Sequence, residues 1–212
     1  DHRNVGMTLH RLGRLEEGRA SFDRALQASP ECIDAVNNIG VVLYRQKRYN
    51  EAVAIFDEII AKQPGYVRAW YNKGVVMDRL GRFRQAVDYY NQALLLNPGG
   101  ARIWSNRGVA LVNLGDHEAA LESFDRSIAL QPKRSEVWNN RGAAQGKLRR
   151  YDEALADFEH AVDIDPLNAG AWYNRGEALR RKGELERALE SYSRTIAIDP
   201  DHAAAWNGRG LA

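Results

Sequence analysis

Asparagine recurs at a fixed interval along this chain: Asn4, Asn38, Asn72, Asn106, Asn140 and Asn174 stand 34 residues apart. A side-chain amide offers both donors and acceptors, so it can pair with the N–H and the C=O of an extended peptide. A row of such amides could hold a backbone without reading its sequence. The neighbours of the row vary. Just before it come Asn37, Tyr71, Ser105, Asn139 and Tyr173; farther on come Val41, Val75, Val109, Ala143 and Glu177, then Tyr44, Asp78, Val112, Gly146 and Arg180. Apolar anchors among a few convergent polar groups are what a binding groove needs. The second to fourth copies of the pattern therefore predict the main peptide-docking surface, with Val41, Tyr44, Tyr71, Val75 and Val109 beside Asn38, Asn72 and Asn106. Asn140 and Asn174 extend the row. A second column is basic, with Arg11, Arg45, Arg79, Lys147 and Arg181. Its cations either interact favourably with helix C-termini or, helped by Arg68 and Arg102, attract an acidic ligand.

Residues for other chemistries are not in register. The five histidines, His2, His10, His117, His160 and His202, fall at different points of the pattern, none with a neighbour at metal-ligand or triad spacing. No glycine-rich phosphate loop follows a strand pattern. The single cysteine, Cys32, excludes an intramolecular disulfide and a multi-cysteine metal site. Basic and acidic residues number 30 and 28, a net charge of +2, and leave no basic stripe for nonspecific nucleic-acid binding. The expectation is no enzyme, no catalytic residue, no metal and no cofactor. The expected partner is a protein or peptide, not a nucleic acid. No apolar run approaches the roughly 18 residues that span a bilayer, and no signal peptide heads the sequence, so a cytoplasmic setting is expected.

The elements that must position these columns are repeats. Prolines 30, 64, 98, 132, 166 and 200 keep the 34-residue interval, and Trp70, Trp104, Trp138, Trp172 and Trp206 each follow a proline by six residues. The repeats run 1–32, 33–66, 67–100, 101–134, 135–168 and 169–202, with the start of a seventh at 203–212, as one array. Within a repeat, Trp172, Gly176 and Leu179 mark one helical face. Ala188, Leu189, Tyr192 and Ile196 mark another, and Pro200 forbids continuation. Such a hairpin is too small to bury its own apolar face and needs copies beside it. The pattern predicts helices at 15–28, 33–46 and 49–62. Gly18, standing where later copies have Ala, weakens its helix by roughly 1 kcal/mol. Val36 replaces the Trp of the second repeat. The fifth has Arg149 in place of a break glycine and Gln145 in place of Leu or Met, which predicts the least well packed first helix.

A 34-residue hairpin with Trp, Gly four residues on, then Ala, an aromatic and a closing Pro resembles the tetratricopeptide repeat. The resemblance covers the whole chain. It implies an all-α, right-handed solenoid of stacked antiparallel helix pairs whose first helices line a concave face. The asparagine row is similar to the ladder inside protein O-GlcNAc transferases. The implied functions are a scaffold that binds a peptide in an Asn-lined groove, a substrate-recruiting arm of a larger enzyme such as a glycosyltransferase, or a scaffold that self-associates end to end. Clamping of chaperone C-terminal carboxylates is not expected, because Met7, Val41, Val75, Val109, Ala143, Glu177 and Leu211 stand where that clamp begins with Asn. One column departs from the family pattern: Lys73, Arg107, Arg141, Arg175 and Arg209 precede the glycines. They either pair with carboxylates such as Asp57, Asp125 and Glu159 or form an anion-binding ladder.

Overall fold

The computed structural model describes residues 2–29 and 31–212; the side chains of His2, Arg3, His10 and Arg11 lie outside the description. Thirteen helices occupy the described residues: α1 (His2–Arg11), α2 (Leu15–Ala28), α3 (Ile33–Arg45), α4 (Tyr49–Lys62), α5 (Val67–Arg79), α6 (Phe83–Leu96), α7 (Ala101–Leu114), α8 (His117–Leu130), α9 (Ser135–Lys147), α10 (Tyr151–Ile164), α11 (Ala169–Lys182), α12 (Leu185–Ile198) and α13 (Ala203–Leu211). The helices expected at 15–28 and 49–62 are reproduced to the residue, and the one expected at 33–46 ends one residue early.

The chain forms two compact bodies, Asp1–Pro98 with α1 to α6 and Gly99–Ala212 with α7 to α13. Within each body, every odd-numbered helix packs on the even-numbered helix after it, and that helix packs on the next pair. Successive first helices (α1, α3 and α5; α7, α9, α11 and α13) also touch one another, whereas successive second helices do not. Each body therefore curves with its first helices on the inner side.

Helix ends follow local chemistry. Pro64, Pro98, Pro132, Pro166 and Pro200 each stand two residues past a second helix, where a missing N–H costs nothing. Trp70 and Trp138 donate their indole N–H to the carbonyls of Pro64 and Pro132 at 2.8 Å, Trp172 to that of Pro166 at 3.0 Å, and Trp206 to that of Pro200 at 2.9 Å. Each indole thus ties a first helix to the turn before it. First helices end on a left-handed residue. This is glycine at 13, 81, 115 and 183, but Lys47 (φ 63°) and Arg149 (φ 61°) take the same conformation without glycine's freedom.

The core is a set of rings laid on glycines. A Cβ on Gly6, Gly40, Gly74, Gly108, Gly142 or Gly176 would lie 2.5–2.7 Å from Phe22, Phe56, Tyr90, Phe124, Phe158 or Tyr192, respectively. Only glycine lets the second helix bring its ring that close. Ala52, Ala86, Ala120, Ala154 and Ala188 complete the crossing, all fully buried.

The basic column before the glycines pairs internally. Lys73 reaches Asp57, Arg175 reaches Glu159 at 3.4 Å and Ser191 at 2.8 Å, and Arg107 donates to Ser123 at 2.6 Å. Arg141 forks onto buried Asp157 at 2.6 and 2.7 Å and also meets Asp125 at 2.5 Å. Hydrogen bonding to Asp157 holds the Arg141 pKa above its ordinary value against the cost of burial, with Asp125 adding to it. Lys73, Arg141 and Arg175 thus take the carboxylate partners expected, whereas Arg107 meets a hydroxyl and Arg209 lies over the Trp206 ring. In the fifth repeat Gln145 leaves its Oε1 buried without a partner, but α9 packs on α10 as extensively as any first helix packs on its partner, against the expectation of the least well packed first helix there.

Where Val36 replaces tryptophan, a hollow of about 300 Å³ opens, lined by Ile33, Val36, Glu58, Ile59 and Lys62. Trp138, in the same column, packs on the corresponding His160, Ala161 and Val162. Val36→Trp should fill the hollow and raise stability by about 1 kcal/mol, read from the urea midpoint; an unchanged or lowered midpoint contradicts this account. Two helical glycines should respond in opposite ways. Gly108→Ala, driven against Phe124, should cost about 1–3 kcal/mol. Gly146→Ala, whose Cβ meets nothing within 4 Å, should be neutral or gain up to about 1 kcal/mol. Equal losses at both sites would remove the ring-on-glycine explanation.

Candidate functional site: the face of the first helices

The asparagine row lies at the seams between helix pairs. Asn72 on α5 donates its Nδ2 to Oδ1 of Asn37 on α3 at 2.8 Å, and Asn174 on α11 donates to Asn139 on α9 at 2.9 Å. The row therefore bridges neighbouring repeats wherever an Asn precedes it in the previous one. Asn37 is fully buried. Asn38 is also buried, and its Oδ1 accepts from Arg68 at 3.4 Å. Asn72 and Asn174 are half-buried, and their Oδ1 atoms take no hydrogen bond among the described residues.

In the N-terminal body the structure brings most of the expected anchors together. Val41, Tyr44 and Arg45 of α3, Phe56 of α4, and Tyr71, Asn72 and Val75 of α5 line one hollow of about 190 Å³. Tyr44 packs on Tyr49 at 5.8 Å between ring centroids, and Tyr71 on Tyr90 at 6.0 Å. Arg79 is exposed and hydrogen-bonds Tyr49, which raises its pKa. Arg68 is placed elsewhere, 3.1 Å from Asp34. The same carboxylate accepts from Tyr66 at 2.6 Å; burial first, then this bond, pushes the Tyr66 hydroxyl up. Arg68 thus fastens α5 to α3. At the far end of α5, burial raises the Asp78 carboxyl, whose Oδ1 is buried without a partner.

In the C-terminal body Asn106 and Val109 of α7 and Asn140 of α9 are half-buried, and Arg102 is exposed. The larger hollow, about 360 Å³, lies farther along α9 to α11, and of its lining only Asn174 stood among the expected peptide-binding residues. It is lined by Ala143, Gly146 and Lys147 of α9, Arg149 beyond it, Tyr151 and Phe158 of α10, and Asn174, Glu177, Ala178 and Arg181 of α11. These positions repeat those of the smaller hollow three repeats later, with Ala143 for Val41, Gly146 for Tyr44 and Glu177 for Val75. The signal was in the sequence as small residues at 143 and 146, which read there as missing anchors. Burial works against charge on Glu177, but hydrogen bonds from Arg180 (2.9 Å) and the Tyr192 hydroxyl (2.6 Å) outweigh it and lower its pKa.

No group of three or more His, Cys, Asp or Glu among the described residues is placed to hold a metal ion. His160 packs on Trp138, and His202 packs on Tyr173 and caps α13 by accepting from Ala205 N at 3.1 Å. No helix among the described residues is long and apolar enough to cross a membrane.

Comparison with known proteins follows this geometry. The tetratricopeptide repeat family matches at residues 6–67, 71–135 and 139–203. No curated protein sequence matches the chain. Among solved structures, one described as "Crystal structure of YrrB: a TPR protein with an unusual peptide-binding site" is 26% identical, covering 90% of this chain and 98% of its own, with a TM-score of 0.75. PilF of Pseudomonas aeruginosa is 17% identical at a TM-score of 0.87, covering 100% of this chain and 96% of its own. MamA of Desulfovibrio magneticus RS-1 is 19% identical at a TM-score of 0.75, covering 82% of this chain and 98% of its own. The last two likenesses concern the fold alone. With stacked helix pairs, ring-on-glycine crossings and family matches along most of its length, this chain belongs to the tetratricopeptide repeat family.

Proposed function

We propose that this chain is a non-catalytic interaction scaffold that takes a peptide segment against its first helices. The observation that carries the reading is the hollow in the N-terminal body. Two tyrosines, two valines, an amide and a guanidinium converge there around about 190 Å³, space for one apolar side chain. Asn72 completes the reading. Its Nδ2 is fixed on Asn37, which sets the amide's orientation and leaves Oδ1 to accept from a peptide N–H. Asn174 is arranged in the same way in the C-terminal body. The description of YrrB as carrying a peptide-binding site, at 26% identity over 90% of this chain, supports a peptide as the ligand class. Asn38, Asn106, Asn140, Val109 and Arg102 extend the proposed surface within their own bodies. Arg45 and Arg79 add positive charge beside the hollow.

The test is selection of peptides from a random phage-displayed library, followed by fluorescence anisotropy with the selected peptide. Tyr71→Ala should weaken binding at least tenfold, about 1.4 kcal/mol, as expected when an interface tyrosine is truncated. Asn72→Ala should weaken it by a smaller factor, with helical content retained by circular dichroism. Unchanged affinity in both variants would sink the proposal.

A further inference from the structure

The two hollows occupy equivalent positions in the repeat, three repeats apart, and each body has a cation at the same three repeat positions, of which only Arg45 lines the first hollow while all three line the second. Arg45, Lys47 and Arg79 of the N-terminal body correspond to Lys147, Arg149 and Arg181 of the C-terminal body. Lys47 and Arg149 are also the two described non-glycine residues with positive φ, where the other first helices end on glycine. An L-residue there costs on the order of 1 kcal/mol, so each copy keeps a cation at a place where glycine would fold more easily.

The copies differ in what already fills them. In the N-terminal body the Tyr44 ring occupies the space and packs on Tyr49, and Arg79 is turned to Tyr49. In the C-terminal body Gly146 replaces Tyr44, and Tyr151, the counterpart of Tyr49, lines the opened space above Phe158. The hollow grows from about 190 to about 360 Å³. Its cations are open to a ligand: the side chains of Lys147, Arg149 and Arg181 are exposed and form no ion pair or hydrogen bond among the described residues, although the Arg181 charge helps to hold the Glu177 carboxylate ionised. The one carboxylate in the lining, Glu177, is already held by Arg180 and Tyr192.

A ring-sized space rimmed by three exposed cations defines its ligand. We propose that this hollow binds a peptide segment with an aromatic side chain flanked by carboxylates. The ring takes the place that Tyr44 fills in the other body and lies on Tyr151, while the carboxylates meet Lys147, Arg149 and Arg181. Asn174 Oδ1 stands beside it for a backbone N–H. This rests on the peptide-scaffold reading and adds to it the chemistry selected in the C-terminal body. A nucleotide also joins a ring to an anion, but Asn174, fixed on Asn139 with its Oδ1 left beside the hollow for a backbone N–H, favours a peptide.

The experiment uses the whole chain and a fluorescent peptide, Gly-Ser-Asp-Glu-Tyr-Asp-Glu-Ser-Gly, acetylated and amidated so that only side chains carry charge. Controls replace its acids with Asn and Gln, or its Tyr with Ala. Saturable binding is expected, at least tenfold weaker for either control, and weaker again as salt rises from about 50 to about 300 mM. Lys147→Gln and Arg181→Gln, both exposed, should each lower affinity several-fold, and Gly146→Tyr should abolish binding by restoring the ring. Equal binding of the neutral peptide, or indifference to Lys147→Gln and Arg181→Gln, overturns the proposal. Tight binding of adenosine monophosphate without the peptide overturns it in favour of a nucleotide. If the peptide binds and is lost with Tyr71→Ala but not with Lys147→Gln, the scaffold reading stands and this one falls. If neither the acidic peptide nor its controls bind at about 1 mM, this proposal falls, and the scaffold reading is judged separately by the library selection and Tyr71→Ala.

Discussion

In each full repeat an aromatic ring on the second helix lies against a glycine on the first. The six glycines that carry it leave no room for a Cβ, which would sit 2.5–2.7 Å from a ring carbon. That contact sets the separation of the two helices, and the separation sets everything placed on them. Tyr192 shows how it propagates. One side of its ring lies on Gly176, and Gly208, from the following helix, would bring a Cβ to 2.8 Å of it. Gly208 belongs to the column that holds asparagine in earlier repeats. The asparagine column therefore lies where one repeat's ring meets the next repeat's first helix. Its amides bridge repeats because the ring packing delivers them to the seam, and the acceptor left over is available to a ligand.

Because each helix touches only its sequence neighbours and the next first helix, cohesion in each body accumulates seam by seam. Charged groups take part in it. Arg68 with Asp34, and Arg141 with Asp125 and Asp157, join positions in adjacent hairpins or adjacent helices. The exposed pairs among them contribute little. The Arg141 fork on buried Asp157 is the exception, since removing Arg141 strands the Asp157 carboxylate away from water.

The fold was legible in the sequence because a 34-residue period repeats the glycine, the ring and the terminating proline six times and the alanine five times. Helix ends followed from proline and glycine, except where Lys47 and Arg149 end helices against their own preference. The site was legible in half. Tyr44, Tyr71, Val41, Val75 and Asn72 could be named because they are large or polar, and the structure gathers them in one hollow. Ala143 and Gly146 could not, because their contribution is space, and a column of letters records side chains rather than the room between them. The pairing of Arg68 with Asp34 was hidden for another reason: its partner is 34 residues away and is found only once the seam is built.

The indole-to-proline bonds have a consequence for how unfolding would be seen. Every tryptophan lies in the third repeat or later, with the second repeat holding Val36 and none in the first. Tryptophan fluorescence thus has no probe within the first two helix pairs. Each indole bonded to its proline carbonyl reports one turn between consecutive hairpins. Fraying from the N-terminal side would pass unnoticed in emission while ellipticity fell. The lag between the two signals would measure how far the array's cooperativity extends.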